Sequence, residues 1–199
     1  MSTRSFLTVI ALVLALAAGA GVLLIGQNVN QAGAGGKALI GGPFSLVDQR
    51  GERVTEKDFE GRFMLAYFGY TFCPDFCPLG LSTITEALEL LPEEEADKVA
   101  PVFFTVDPAR DTVEQLADYV THFHPNLQGL TGTEEEVATA AKAYRIYYNI
   151  PEDAGDDYAV DHSTFTYLMG PDGTYRTHFG HDTTPEELAE RLKSELEKG

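Results

Sequence analysis

Residues 68–78 read Phe68-Gly69-Tyr70-Thr71-Phe72-Cys73-Pro74-Asp75-Phe76-Cys77-Pro78 and hold both cysteines of the 199-residue chain. The run that leads in, residues 62–70, is apolar and aromatic in the manner of a buried strand, and residues 79–91 place apolar side chains at helical spacing. The expected unit is therefore strand, thiol-bearing turn, helix. Pro78 lacks an N–H and has a fixed φ, which suits the first position of a helix, so the helix is predicted to begin there with Cys77 near its N-cap and Cys73 in the loop above. Because the positive end of a helix favours a thiolate, Cys77 is expected to ionise more easily. Three residues separate the cysteines, enough to hold two sulfurs around an ion or to close them into a disulfide. Thiolates suit Cu(I) and also Zn(II), and zinc normally takes four protein ligands, so any metal here needs a ligand from elsewhere in the chain.

Upstream, residues 6–26 carry no charge and follow Arg4. At about 1.5 Å per residue they can cross a hydrocarbon core of roughly 30 Å, with the positive end in the cytoplasm. A single transmembrane helix is predicted, with residues 1–27 as membrane anchor or signal-anchor. A cleaved signal peptide is the alternative, given the small residues at 15–21, but its apolar core is typically about 7–15 residues long. Either reading exports the remainder. Residues 28–42, rich in Gly, Ala, Asn and Gln, read as a flexible tether, and residues 43–199 fit one domain. A formal net charge of −17 excludes nucleic acid as a partner and is compatible with a basic protein. A disulfide between cysteines this close would constrain little of the unfolded chain, so reactivity or ligation explains them better than a structural bridge.

Within the domain, residues 44–54 read as a hairpin turning at residues 48–51, and residues 55–59 as a short turn or helix. Residues 98–106 read as a second buried strand, parallel to the first because a helix connects them. Asp107-Pro108-Ala109-Arg110-Asp111-Thr112 follows, with Asp111 or Thr112 as cap of a helix over residues 113–123. Asp107 falls at the carboxyl end of a strand, where open α/β sheets place their sites; it forms either a structural ion pair with Arg110 or a group that acts directly on the thiols. Residues 129–132 suggest an edge strand and residues 134–144 a helix. Residues 149–161 hold Glu152, Asp153, Asp156, Asp157 and Asp161 and read as an exposed loop. It is expected to order when His162 binds a metal, or else to be fixed already by Tyr158 and Val160. Strands at 164–169 and 174–179 form a hairpin through Gly170-Pro171-Asp172-Gly173, and residues 185–196 close the chain as a helix.

This order is that of an α/β, thioredoxin-like fold with an N-terminal β-hairpin extension, in which the loop that carries His162 lies against the cysteine motif. The chain resembles the Sco (SenC) family of membrane-anchored copper chaperones. The resemblance is carried by Gly42-Pro43-Phe44, by residues 67–78, by Val106-Asp107-Pro108-Ala109-Arg110-Asp111-Thr112, by Asp161-His162-Ser163 and by Tyr167-Leu168-Met169-Gly170-Pro171-Asp172-Gly173. It implies copper, Cu(I) or Cu(II) and one per chain, on Cys73, Cys77 and His162, with Asp107 nearby and Arg110 in support. It also implies delivery to the binuclear copper site of cytochrome c oxidase subunit II, from a single-pass protein of the cytoplasmic membrane with its domain in the periplasm, or of the mitochondrial inner membrane in a eukaryote. Two thiolates and an imidazole make a trigonal Cu(I) site and can hold Cu(II) with a weak further ligand.

The alternative function is thiol-disulfide exchange, with Cys73 and Cys77 reducing the cysteines of the receiving protein. His122, His124, His178 and His181 are expected at the surface. Met64 and Met169 are expected in the core, and Tyr70, Phe72 and Phe76 as walls of the site.

Overall fold

Strand β3 (Phe63–Gly69) is buried at every position, and its alternating side chains meet helices on both faces of the sheet. Tyr67 lies against Gly80 of helix α1 (Phe76–Glu89), whereas Phe68 stacks on Phe104 at 4.5 Å between ring centroids and meets Tyr144 at 5.2 Å. A strand buried on both faces needs the continuous apolar run seen in the sequence. The computed structural model describes residues 40–151, Gly155 and 157–198. The predicted anchor lies outside them, and among the described residues no helix is long and apolar enough to cross a membrane.

The remaining elements are β1 (Ser45–Asp48), β2 (Arg53–Thr55), α2 (Glu93–Ala96), β4 (Val99–Thr105), α3 (Val113–Tyr119), β5 (Gln128–Thr131), α4 (Glu134–Ala143), β6 (Tyr148–Asn149), β7 (Asp161–His162), β8 (Thr166–Met169), β9 (Tyr175–Phe179) and α5 (Pro185–Leu196). Seven strands form one sheet in the order β2-β1-β5-β4-β3-β8-β9, while β6 and β7 form a separate two-stranded ribbon. β3 and β4 are parallel from Phe63 opposite Val99 to Gly69 opposite Thr105, and β8 runs antiparallel on the other side of β3. The parallel central pair, the crossover helix and the closing hairpin agree with the thioredoxin-like order read from the sequence.

Several expectations are corrected. β5 is interior, between β4 and β1, because the N-terminal hairpin joins the main sheet through Val47 opposite Thr131 and takes the edge itself. The tether ends earlier than predicted: Ile40 packs on the core, and the Gly41 N–H donates to the Ala143 carbonyl at 3.0 Å. Helix α1 starts at Phe76, two residues before Pro78, with Asp75 as N-cap. Thr112, rather than Asp111, caps α3 by accepting from the Gln115 N–H. Met64 and Met169 are core residues, as expected. His122, His178 and His181 are exposed, but His124 is half-buried and burial lowers its pKa.

Candidate metal centre

The loop between β3 and α1 is held from below by one buried carboxylate. Asp111 accepts from the Thr71 N–H at 3.0 Å, the Thr71 hydroxyl at 2.6 Å and the Thr105 hydroxyl at 2.6 Å, and is itself fully buried. Burial pushes its pKa up while these donors pull it back, so the net shift is upward. Nothing in the sequence marks the pairing of Thr71 with a residue forty positions away; the cap reading of Asp111 concealed it.

With the loop fixed, the two sulfurs differ sharply in role. Helix α1 has no side-chain cap. Instead the Cys77 N–H points at the Cys73 sulfur at 3.4 Å, so Cys73 Sγ occupies the acceptor position that a Ser or Asp side chain normally fills. This reverses the expectation that Cys77 is the easier thiolate. The Cys73 pKa is lowered to about 4, chiefly by the hydrogen bond from the Cys77 thiol and further by backbone N–H groups of Cys77 and Asp75, against the opposing effect of burial. Cys77, with no exposed surface, is pushed up by the hydrogen bond it gives and by burial. The helix start misplaced the dipole: Cys77 is inside the first turn, and the free N–H groups aim back at Cys73.

His162 reaches the sulfurs from the other side. Its Nδ1–H donates to the Ser163 carbonyl at 2.9 Å, and its Nε2 lies 3.5 Å from Cys77 Sγ. Cys73 Sγ, Cys77 Sγ and a His162 ring nitrogen all lie within 4.8 Å of one another. The Tyr70 ring stands edge-on to the imidazole at 5.6 Å and is itself buried. Phe72 and Phe76, expected as walls, are instead about half exposed. The donor set, two buried soft sulfurs and one half-buried imidazole, fits a thiophilic ion.

Asp107 does not face the thiols. Its Oδ1 accepts from the Tyr158 hydroxyl at 2.7 Å and its Oδ2 from Arg110 Nε at 2.5 Å, so both oxygens are occupied by the structural pair. The Arg110 guanidinium lies 3.5 Å from the Tyr158 ring centroid, 4.9 Å from that of Phe72 and 5.6 Å from that of Tyr70. One cation thus ties the cysteine loop to the segment that carries His162. Val160 is buried as well.

A family model, SCO1/SenC, matches residues 32–197. Protein sco1 of Schizosaccharomyces pombe is 40% identical over 97% of this chain and 78% of its own length. The chain spans about half the length of the plant and human mitochondrial relatives it matches at 44% identity. The crystal structure of Arabidopsis thaliana ScoI with copper bound is similar, with a TM-score of 0.74 and 43% identity over 80% of this chain and 99% of that one. BsSco, described as a member of the Sco family of cytochrome c oxidase assembly proteins and as having a disulfide switch, matches at 25% identity and a TM-score of 0.64 over 82% of this chain and 95% of its own. A matched model over most of the chain, with the cysteine loop and the histidine converging as described, establishes that the chain belongs to the SCO1/SenC family.

Proposed function

We propose that this domain binds one copper ion through Cys73 Sγ, Cys77 Sγ and His162 Nε2 and passes it to the binuclear copper site of cytochrome c oxidase subunit II. The observation that carries this reading is the convergence of the three donor atoms with the imidazole already in the tautomer that presents Nε2. Copper is cargo here, and both cysteines must lose their protons to take it. The partner surface is supported by where apolar side chains are left exposed. Phe72, Phe76 and Leu79 flank the thiols in sequence, and exposed Tyr147 accepts from the Ser163 N–H and donates its own N–H to the Ser163 hydroxyl, next to His162. Residues 1–27 would anchor the chain in the cytoplasmic membrane, with residues 43–199 on the periplasmic side, or in the mitochondrial inner membrane of a eukaryote.

The second reading, reduction of the receiving protein's cysteines, is favoured by the low pKa of Cys73. The Cys73 thiolate attacks the partner disulfide and one partner thiolate leaves. Cys77 then gives up its proton and attacks the Cys73 sulfur of the mixed disulfide, releasing the second partner thiolate and leaving this chain oxidised.

Anaerobic copper titration of residues 37–199, in wild type and His162→Ala, tests the copper reading. Near one copper per chain is expected for the wild type and a large loss of affinity for the variant; undiminished affinity in His162→Ala would remove the three-ligand site. Simple thiol exchange should survive the same substitution.

A further inference from the structure

Arg50 and Arg110 each meet a fully buried aspartate, and they do so differently. Arg50 places both Nε and Nη2 on Asp48, at 2.9 and 2.8 Å. Arg110 places Nε alone on Asp107, and its Nη2, itself buried, has no hydrogen-bond partner among the described residues. An Nε–H and an Nη2–H lie side by side on one edge of the planar guanidinium, so the unpaired nitrogen stands on the edge that already faces the Asp107 carboxylate. Buried donors normally find an acceptor, and for this edge the ordinary one is the second carboxylate oxygen. At Asp107 that oxygen, Oδ1, accepts instead from the Tyr158 hydroxyl at 2.7 Å.

Two segments thus compete for one oxygen. Asp107 and Arg110 belong to the loop after β4, whereas Tyr158 belongs to the arm that leads to His162. The guanidinium lies 3.5 Å from the Tyr158 ring centroid, but Phe72 and Tyr70 of the cysteine loop also stand against it, at 4.9 and 5.6 Å. When the Tyr158 side chain withdraws, those two rings keep the cation on the core side of the break. The oxygen it vacates is buried, and a buried carboxylate oxygen without a donor is costly. The unpaired Nη2 is the donor nearest to hand, on a group already bonded to the other oxygen.

We propose that Arg110 is a positioning residue for His162 that works by exchange: when the Tyr158 hydroxyl leaves Asp107 Oδ1, Arg110 Nη2 takes that oxygen, and a one-bond contact becomes a side-on, two-bond pair like that of Arg50 with Asp48. The histidine arm can then lift without leaving the buried carboxylate half satisfied, so its release costs less than the hydrogen bond it gives up. The loop beneath the thiols keeps its support in both positions of the arm. The consequence for copper, an imidazole that withdraws while two sulfurs hold the ion, rests on the copper reading; the exchange itself does not.

Tyr158→Phe keeps the ring and frees Oδ1. In the full-length chain, metal-free, reduced and carrying isotope-labelled arginine, NMR reads the rotation about the Arg110 Cζ–Nη2 bond, the resonance being identified by its contacts with the Phe72 and Tyr70 rings. The rotation is expected to slow about tenfold in Tyr158→Phe, the factor that a charge-assisted hydrogen bond gives. Unchanged rotation overturns the proposal. Hydrogen exchange across residues 157–163 gives a second reading. Removing the Tyr158 hydroxyl should quicken it a few-fold in the wild-type background and about tenfold or more in Arg110→Lys, because an ammonium is a point donor without the fork that takes both oxygens. Equal factors in the two backgrounds would make Arg110 a stacking partner only and overturn the exchange. Should Arg110→Lys not fold, the NMR comparison of wild type with Tyr158→Phe decides alone. Failure of the wild type to bind copper would defeat the copper reading, and these metal-free measurements would still decide the role of Arg110.

Discussion

The two halves of the metal centre are built to different standards. Cys73 and Cys77 hang from β3, the strand that pairs with β4 along seven residues and with β8 on its other edge, and Asp111 locks their loop from below. His162 hangs from a two-residue strand that, among the described residues, is laddered in the short ribbon with Tyr148 and Asn149. A two-stranded ribbon is marginal in water by itself, so the histidine arm depends on Tyr158 reaching Asp107, on Arg110 over the Tyr158 ring, and on the backbone bond from the Ser163 N–H to the Tyr147 carbonyl at 2.9 Å. The soft ligands belong to the core and the imidazole to its periphery. On the proposed copper reading, the ion could be loosened at His162 without unfolding the site.

Asp111→Ala and His162→Ala should separate the two halves most widely. Removing the carboxylate leaves the half-buried Thr71 N–H and hydroxyl and the buried Thr105 hydroxyl without their acceptor, at about 1–3 kcal/mol for each group left unpaired away from water. Urea unfolding of the metal-free domain should accordingly show a loss of about 3 kcal/mol or more for Asp111→Ala, and of less than about 1 kcal/mol for His162→Ala. Equal losses would mean that the histidine arm is part of the core after all.

The next contrast lies inside the cysteine half. Cys73 should react with iodoacetamide well below pH ~8.5 and at least about tenfold faster than Cys77 at neutral pH, as mapped by mass spectrometry. The linkage has a definite sign. Because the folded pKa of Cys73 is depressed, its contribution to the stability of the reduced protein is fully present above the ordinary thiol pKa and is lost as pH falls through about 4. Cys77 acts oppositely: its raised pKa makes ionisation cost stability at alkaline pH. Faster labelling of Cys77 would restore the helix-dipole reading from the sequence.

The smallest effect is expected from Tyr158→Phe, which deletes one hydrogen bond to the Asp107 carboxylate for about 1 kcal/mol. Hydrogen exchange should quicken across residues 157–163 and remain unchanged in β3 and β4, and copper affinity should fall by a few-fold. Exchange that quickens equally in the central strands would show that the arm and the core open together.

Much of this was legible in advance. The seven buried positions of β3, the parallel crossover to β4, the closing hairpin and helix α5, and the two thiols followed by a distant histidine all follow from local pattern and spacing. Periodicity reports which face of an element is buried, and glycine, proline and cap residues report where it stops. The resemblance through residues 67–78 and 161–163 then named the three candidate ligands.

What local pattern could not supply was the partner of each polar group. Whether β5 lay at an edge, whether Asp111 capped a helix or held Thr71, and whether Asp107 faced the thiols or Tyr158 depended on which segments the fold brought together. The ionisation order of Cys73 and Cys77 turned on the direction of one N–H in the first turn of α1. The element order and the family resemblance led to the expectation that two thiols and an imidazole would meet. Only tertiary structure decided which sulfur carries the charge, because hydrogen bonds and burial act over a few ångströms between residues that the sequence keeps far apart.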